Sequence, residues 1–231
     1  MNLPSPLTFV LPFLILPCMV QAQIRPRPVA PNTAIVVDER LSPLRTEPLI
    51  SAQLLRRVGR GRRLVITAER RARDGLVFYK VRVTRRTSGW IQREALICPR
   101  RRGEDRKLFR LILGSKDFDR LARARIFLQL FPGSPLRPRV LLLFGDAAQA
   151  ASEKLSRVAA RRLGTAIETE PAPEFSYFLN YAGLDRYNRQ GIRFVFDRER
   201  KEIRYDGNAY REIVRRYPLS PEAVEAHKRL N

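Results

Sequence analysis

Residues 78–93, FYKVRVTRRTSGWIQR, place the only tryptophan of the chain among five cations. Aromatic rings present a π face and guanidinium groups a positive charge, and together they can hold a polymer that carries phosphates or carboxylates. Two roles for Trp90 follow: the floor of a binding groove, or a packed residue of a small β-structure that wears a basic coat. Further Arg runs at 56–63, 70–73 and 100–102 could meet backbone phosphates while Phe78 and Tyr79 stack on bases.

Little else in the chain is equipped for catalysis, because general acid–base or nucleophilic chemistry needs convergent groups. A single histidine, His227, excludes every multi-histidine metal site, and its surroundings of small and charged residues place it on a helix surface. Cys98 has no histidine near it in sequence and reads as a partly buried thiol at a strand end before Pro99. Carboxylates gather at Asp38 and Glu39, at Asp117 and Asp119, and at Glu168 and Glu170. The first two sets suit turns and caps, and the third lies in a Thr- and Pro-containing loop. GRGRR at 59–63 lacks the spacing and the terminal Lys-Ser/Thr of a phosphate loop. The sequence therefore predicts no enzyme, no metal and no cofactor. The catalytic alternative is a carboxylate pair of the wall-cleaving glycosidase kind, which need leave no motif.

The elements that must position these residues follow from hydropathy periods. Short apolar pieces at 34–37, 54–58, 63–68, 76–83, 89–92 and 95–97 alternate with glycine-marked turns at Gly59, Gly61, Gly75 and Gly89. In FYKVRV, Tyr79, Val81 and Val83 share one face, and Phe78, Lys80 and Arg82 the other. Such strands predict a small antiparallel barrel or curled sheet over 33–98. PRRRGEDR at 99–106 reads as a charged linker. Beyond it the period is helical: Leu108, Leu111 and Ile112 form one stripe, and Phe118, Leu121, Ala122, Arg125 and Ile126 another, with Gly114-Ser115 as a break. A third helix should start near Ser134-Pro135, and ASEKLSRVAARRLG should form a short segment stopped by Gly164. Residues 165–174 read as a loop, and GIRFVFDRERKEIRYDG fits either a hairpin or a helix.

The formal charge is +22, with 39 Arg against 6 Lys. Such a surface attracts polyanions of every kind, from acidic wall polymers and anionic lipid surfaces to nucleic acid. Residues 1–22 combine an apolar run from Leu7 to Val20 with small residues before Gln23, which predicts a signal peptide cut near Ala22 and a periplasmic or secreted protein. Residues 23–32 then form a Pro-rich tether. Cys18 leaves with the leader, so Cys98 has no intramolecular disulfide partner. No transmembrane segment is expected in the mature chain.

Two resemblances add to this reading. Over 33–98, Leu44-Arg45 with Pro48, Leu54, Leu55 and Val58 before Gly59-Arg60-Gly61, Val65-Ile66, Phe78-Tyr79-Lys80-Val81, Gly89-Trp90-Ile91 and Leu96 resemble a bacterial SH3-type domain. The resemblance implies an SH3-like all-β barrel in which Trp90 is first a scaffold residue. It also names Tyr79, Trp90, Arg45, Arg85, Arg86 and Arg93 as candidate ligand-binding residues, with peptidoglycan or a peptide as ligand. Over 107–231, Phe131-Pro132-Gly133-Ser134-Pro135 and Tyr217-Pro218-Leu219-Ser220-Pro221 share an aromatic-Pro-x-Ser-Pro elbow and resemble tetratricopeptide-like helical hairpins. In each elbow the aromatic packs, the first Pro ends one helix and Ser-Pro starts the next. The expected fold is thus α+β in two parts, a barrel followed by a degenerate helical-repeat domain.

The expected function is an exported, non-catalytic adaptor that binds an envelope protein or peptidoglycan. The alternatives are a nucleic-acid or general polyanion binder acting through the Arg-rich surface, and an accessory protein of a cell-wall hydrolase. Nucleic acid is the disfavoured partner, because it does not explain the leader.

Overall fold

The computed structural model describes residues 32–169 and 172–230. The signal peptide expected at 1–22 and the tether up to residue 31 lie outside the described residues.

Seven strands form the first part of the chain: β1 (Thr33–Val36), β2 (Pro43–Arg45), β3 (Leu54–Arg57), β4 (Arg63–Arg71), β5 (Val77–Arg82), β6 (Ser88–Gln92) and β7 (Leu96–Ile97). They make one antiparallel sheet in the order β3-β2-β6-β5-β4-β1-β7. The alternation read from FYKVRV holds, since Tyr79, Val81 and Val83 are all buried in one cluster with Leu44, Leu64 and Ile91. Gly89 is required in β6, because a Cβ there would lie 2.7 Å from the Arg45 carbonyl oxygen and 2.8 Å from Leu44 Cγ.

The sheet is open, which corrects the expected SH3-like barrel. Closure would need β3 to meet β7, and these are the two ends of the strand order. The chain beyond β7 takes that edge instead: Lys107 Nζ donates to the Leu96 carbonyl at 2.8 Å, and the Cys98 N–H donates to Glu104 Oε2 at 2.8 Å. β1 shows why the sheet does not curl shut. Ala34 and Val36 face the core of the sheet, whereas Ile35 and Val37, with Ile97, belong to the core of the helical part. A strand buried on both faces reads as a continuous apolar run, which AIVV is.

The helical part begins with α1 (Glu104–Leu113) and α2 (Asp117–Leu130), separated at Gly114-Ser115 as the periodicity predicts. α3 (Arg137–Thr169) is one helix of 33 residues and runs through Gly164 without stopping. Glycine in an exposed helix costs only about 1 kcal/mol relative to alanine, too little to end a long helix. The chain continues through two short helices, α4 (Glu174–Leu179) and α5 (Asp185–Asn188), to a hairpin of β8 (Phe194–Asp197) and β9 (Glu202–Tyr205), then α6 (Asn208–Arg216) and α7 (Pro221–Leu230). The uncertain FVFD segment is therefore a strand. Ser156 of α3 docks the hairpin: its hydroxyl accepts from the Ile203 N–H at 2.5 Å and donates to the Ile203 carbonyl at 3.1 Å.

This order corrects the expected helical-repeat domain, because one long helix and a β-hairpin separate the two elbows and no repeating pair stacks on another. Each elbow is formed locally all the same. Phe131 closes α2 through its N–H to the Phe127 carbonyl, and the Ser134 hydroxyl accepts from the Leu136 N–H while donating to Asp105. Tyr217 closes α6 in the same way through the Ile213 carbonyl, and Ser220 starts the next turn. No helix of the described residues is long and apolar enough to cross a membrane.

Candidate anion-binding face

The pleat sorts the cations of the sheet. On β5 the residues between the buried Tyr79 and Val81 point to the other face, so Lys80 and Arg82 stand there with Phe78. Register brings partners beside them: Lys80 lies opposite Trp90 of β6 and Ala68 of β4, Phe78 lies opposite Gln92 and Arg70, and Trp90 lies opposite Arg45 of β2. Trp90 is thus flanked by a cation on each neighbouring strand. It is half-buried and turned away from the cluster that holds Ile91. The Arg70 guanidinium sits over its ring at 5.9 Å, a cation–π geometry.

Arg70, Lys80 and Arg82 have no carboxylate within 4 Å among the described residues, since the ion pairs of the sheet are those of Arg40, Arg60 and Arg93. Exposed like charges held side by side repel one another, and an anion relieves that repulsion. Beside Trp90 the face dips into a cavity of about 260 Å³ lined by Arg40, Leu41, Pro43, Arg45, Ile50, Phe78 and Gln92. Four apolar side chains, Leu41, Pro43, Ile50 and Phe78, line it together with two arginines. Arg45 is fixed by a 2.6 Å hydrogen bond to the Ala52 carbonyl, and Arg40 by both oxygens of Asp38.

The six candidate ligand residues do not converge. Trp90 and Arg45 meet on this face. Tyr79 lies on the opposite one, where it is buried, accepts a hydrogen bond from Arg101 Nη1 and has the Arg101 guanidinium 5.2 Å from its ring centroid. Burial pushes the Tyr79 hydroxyl above its ordinary range. Arg85 and Arg86 occupy the exposed turn between β5 and β6, and Arg93 pairs with Glu94 at 3.5 Å beyond the end of β6. Lys80 is not one of the six, and Arg70 enters from the sequence only as part of the phosphate-meeting run at 70–73. The alternation of FYKVRV carried the signal for Lys80, whereas Arg70 needs the β4–β5 register.

Among the described residues no group of three or more His, Cys, Asp or Glu side chains could hold a metal ion. His227 is exposed on α7, and the Cys98 thiol is buried and raised above its ordinary range mainly by that burial. The chain matches no family model, no curated protein and no solved structure. Neither resemblance read from the sequence holds, because the sheet is open, a long helix and a hairpin separate the two elbows, and no known family or structure matches.

Proposed function

We propose that the protein is an exported, non-catalytic adaptor that holds an anionic polymer of the cell envelope on the outer face of its sheet. The observation that carries this reading is Trp90 between Arg45 and Lys80, with Arg70 over its ring and, among the described residues, no carboxylate to neutralise Arg70 or Lys80. Ring and charge act on different parts of one ligand: the π face packs on a flat apolar group, and the cations meet regularly spaced phosphates or carboxylates. The recess beside Phe78 adds room for a side group. The location outside the cell rests on the apolar leader alone.

Sedimentation with purified, nucleic-acid-free cell wall at physiological salt tests the reading. The full chain should pellet with the wall and the Arg70→Glu/Lys80→Glu variant should not. A wild-type chain that stays in the supernatant would sink it. A nucleic-acid reading draws on the same ring, since a half-buried tryptophan beside an arginine also stacks bases. Cell fractionation separates the two, because a full-length chain in the cytoplasm favours nucleic acid and a chain beginning at Gln23 outside it favours the envelope.

A further inference from the structure

The two ends of the sheet are treated differently. The β7 end is closed by Lys107 and Glu104, and the outward backbone of β9 in the small hairpin is closed by Ser156. β3 has no such cover. It pairs only with β2, all four of its residues are exposed, and among the described residues no side chain bonds to the backbone of Leu54–Arg57. An uncovered edge is a template for another strand, and here it is interrupted only by the register shift at Leu55, opposite Leu44 and Arg45.

Its surroundings are apolar and basic. Leu54 and Leu55 are each 46% exposed and Ile50 is 52% exposed, with Leu49 close behind in the same hairpin. Between residues 41 and 68 six arginines stand against one carboxylate, Glu47. Arg56 and Arg57 make no ion pair among the described residues, and register sends them to opposite faces, Arg56 beside Leu44 and Arg57 beside Pro43. The edge is also held ready: Arg45 Nη1 bonds the Ala52 carbonyl at 2.6 Å, and the Thr46 N–H bonds the Gln53 carbonyl at 3.1 Å.

We propose that β3 docks an extended acidic segment of a partner protein by strand addition, which makes an eighth strand. Backbone hydrogen bonds supply the register, acidic side chains meet Arg56 on one face and Arg57 on the other, and apolar side chains cover Leu54 and Leu55. Charge selects this occupant over a second copy of the chain, because two β3 edges side by side would bring four arginines and no carboxylate of residues 54–57 into one ladder. The proposal concerns the edge and does not depend on the polymer held by the face.

The test adds a capped octapeptide of two Val-Val-Glu-Glu repeats, which presents Glu and Val on both faces of a strand, to the full chain and follows backbone amide exchange. Exchange at residues 54–57 should slow by about tenfold or more, and the Arg70→Glu/Lys80→Glu variant should respond in the same way. The Arg56→Glu/Arg57→Glu variant should lose the response and gain one to the matching Lys–Val peptide, which also shows that it remains folded. Unchanged exchange at 54–57, slowing confined to β5 and β6, equal binding by the charge-reversed variant, or concentration-dependent dimers that protect β3 without peptide would each overturn the proposal.

Discussion

Asp38, after β1, and Arg123, in the middle of α2, form a 2.9 Å ion pair although 85 residues separate them. Both side chains are nearly sealed from solvent, at 6% and 4% exposure. Arg123 spends its remaining donors inside the molecule, on the Val37 carbonyl at 3.0 Å and the Ser115 hydroxyl at 2.5 Å. One guanidinium thus ties the end of β1 to the α1–α2 corner, and the basic face is carried on a sheet anchored to the helices.

The anchor makes part of the stability of the fold sensitive to acid. Hydrogen bonds from the Arg40 side chain, then from its backbone N–H, and the charge of Arg123 hold the Asp38 carboxyl below its usual range against the opposing effect of burial. A depressed carboxylate contributes stability that is present above its unfolded pKa of about 3.9 and is lost as pH falls through the folded value. Asp38→Asn should cost about 3–5 kcal/mol at neutral pH, because it leaves Arg123 buried without a counter-charge. It should also flatten the loss of stability below about pH 4. Urea unfolding at several pH values measures both effects.

Gly145 of α3 makes room for Tyr210 of α6, since a Cβ at 145 would lie 2.5 Å from Tyr210 Cε1. Gly145→Ala should therefore destabilise the protein by about 1–3 kcal/mol although alanine is the better helix former. Tyr210→Phe should cost about 1 kcal/mol by removing the 2.9 Å hydrogen bond to Asp146. Asp146 would keep Arg229 at 3.1 Å. Thermal unfolding of both variants ranks them.

Ser156→Ala should leave the Ile203 N–H and carbonyl without their partner in a buried position, at a cost of about 1–3 kcal/mol. Faster amide exchange at Ile203, with the exchange of β5 unchanged, would identify the β8–β9 hairpin as the unit that loosens. Uniformly faster exchange would instead mean that the hairpin and the large sheet open together.

Cys98 should resist thiol reagents in the folded protein, because it is buried and its thiol is held above the ordinary range. Denaturant should expose it to rapid modification. Reaction with a chromogenic disulfide, with and without urea, checks this directly.

The alternating FYKVRV strand and the break at Gly114-Ser115 are legible in the chain because each rests on local periodicity. β2 is not, since Pro43-Leu44-Arg45 is too short to show a period and is a strand only because β3 and β6 lie on either side of it. The difference between barrel and open sheet is equally silent. It depends on Lys107 and Glu104 reaching back to the β7 edge and on the helices taking Ile35 and Val37. Arg123 stayed hidden because it falls outside the apolar stripe read for α2, and a helical charge off the stripe reads as solvent-facing until Asp38 is placed against it. Trp90 and Arg45 of the central row could be named from residue type and from the SH3-type resemblance, although the barrel it implied does not form. Arg70 could be named only within the run at 70–73, and its place beside the ring could not, because a bulge between Ile66 and Ala68 shifts the register that brings it there.

Trp90 is the only tryptophan, so its fluorescence reports on the proposed site without a label. The decisive measurement is a titration of the full chain with solubilised anionic wall polymer at physiological salt. The account predicts a saturable change in Trp90 emission, weakening with added salt, and an affinity about tenfold lower in the Arg70→Glu/Lys80→Glu variant. Polymer binding that leaves Trp90 emission unchanged, or that both proteins share equally, would contradict the assignment of the outer face as the binding site.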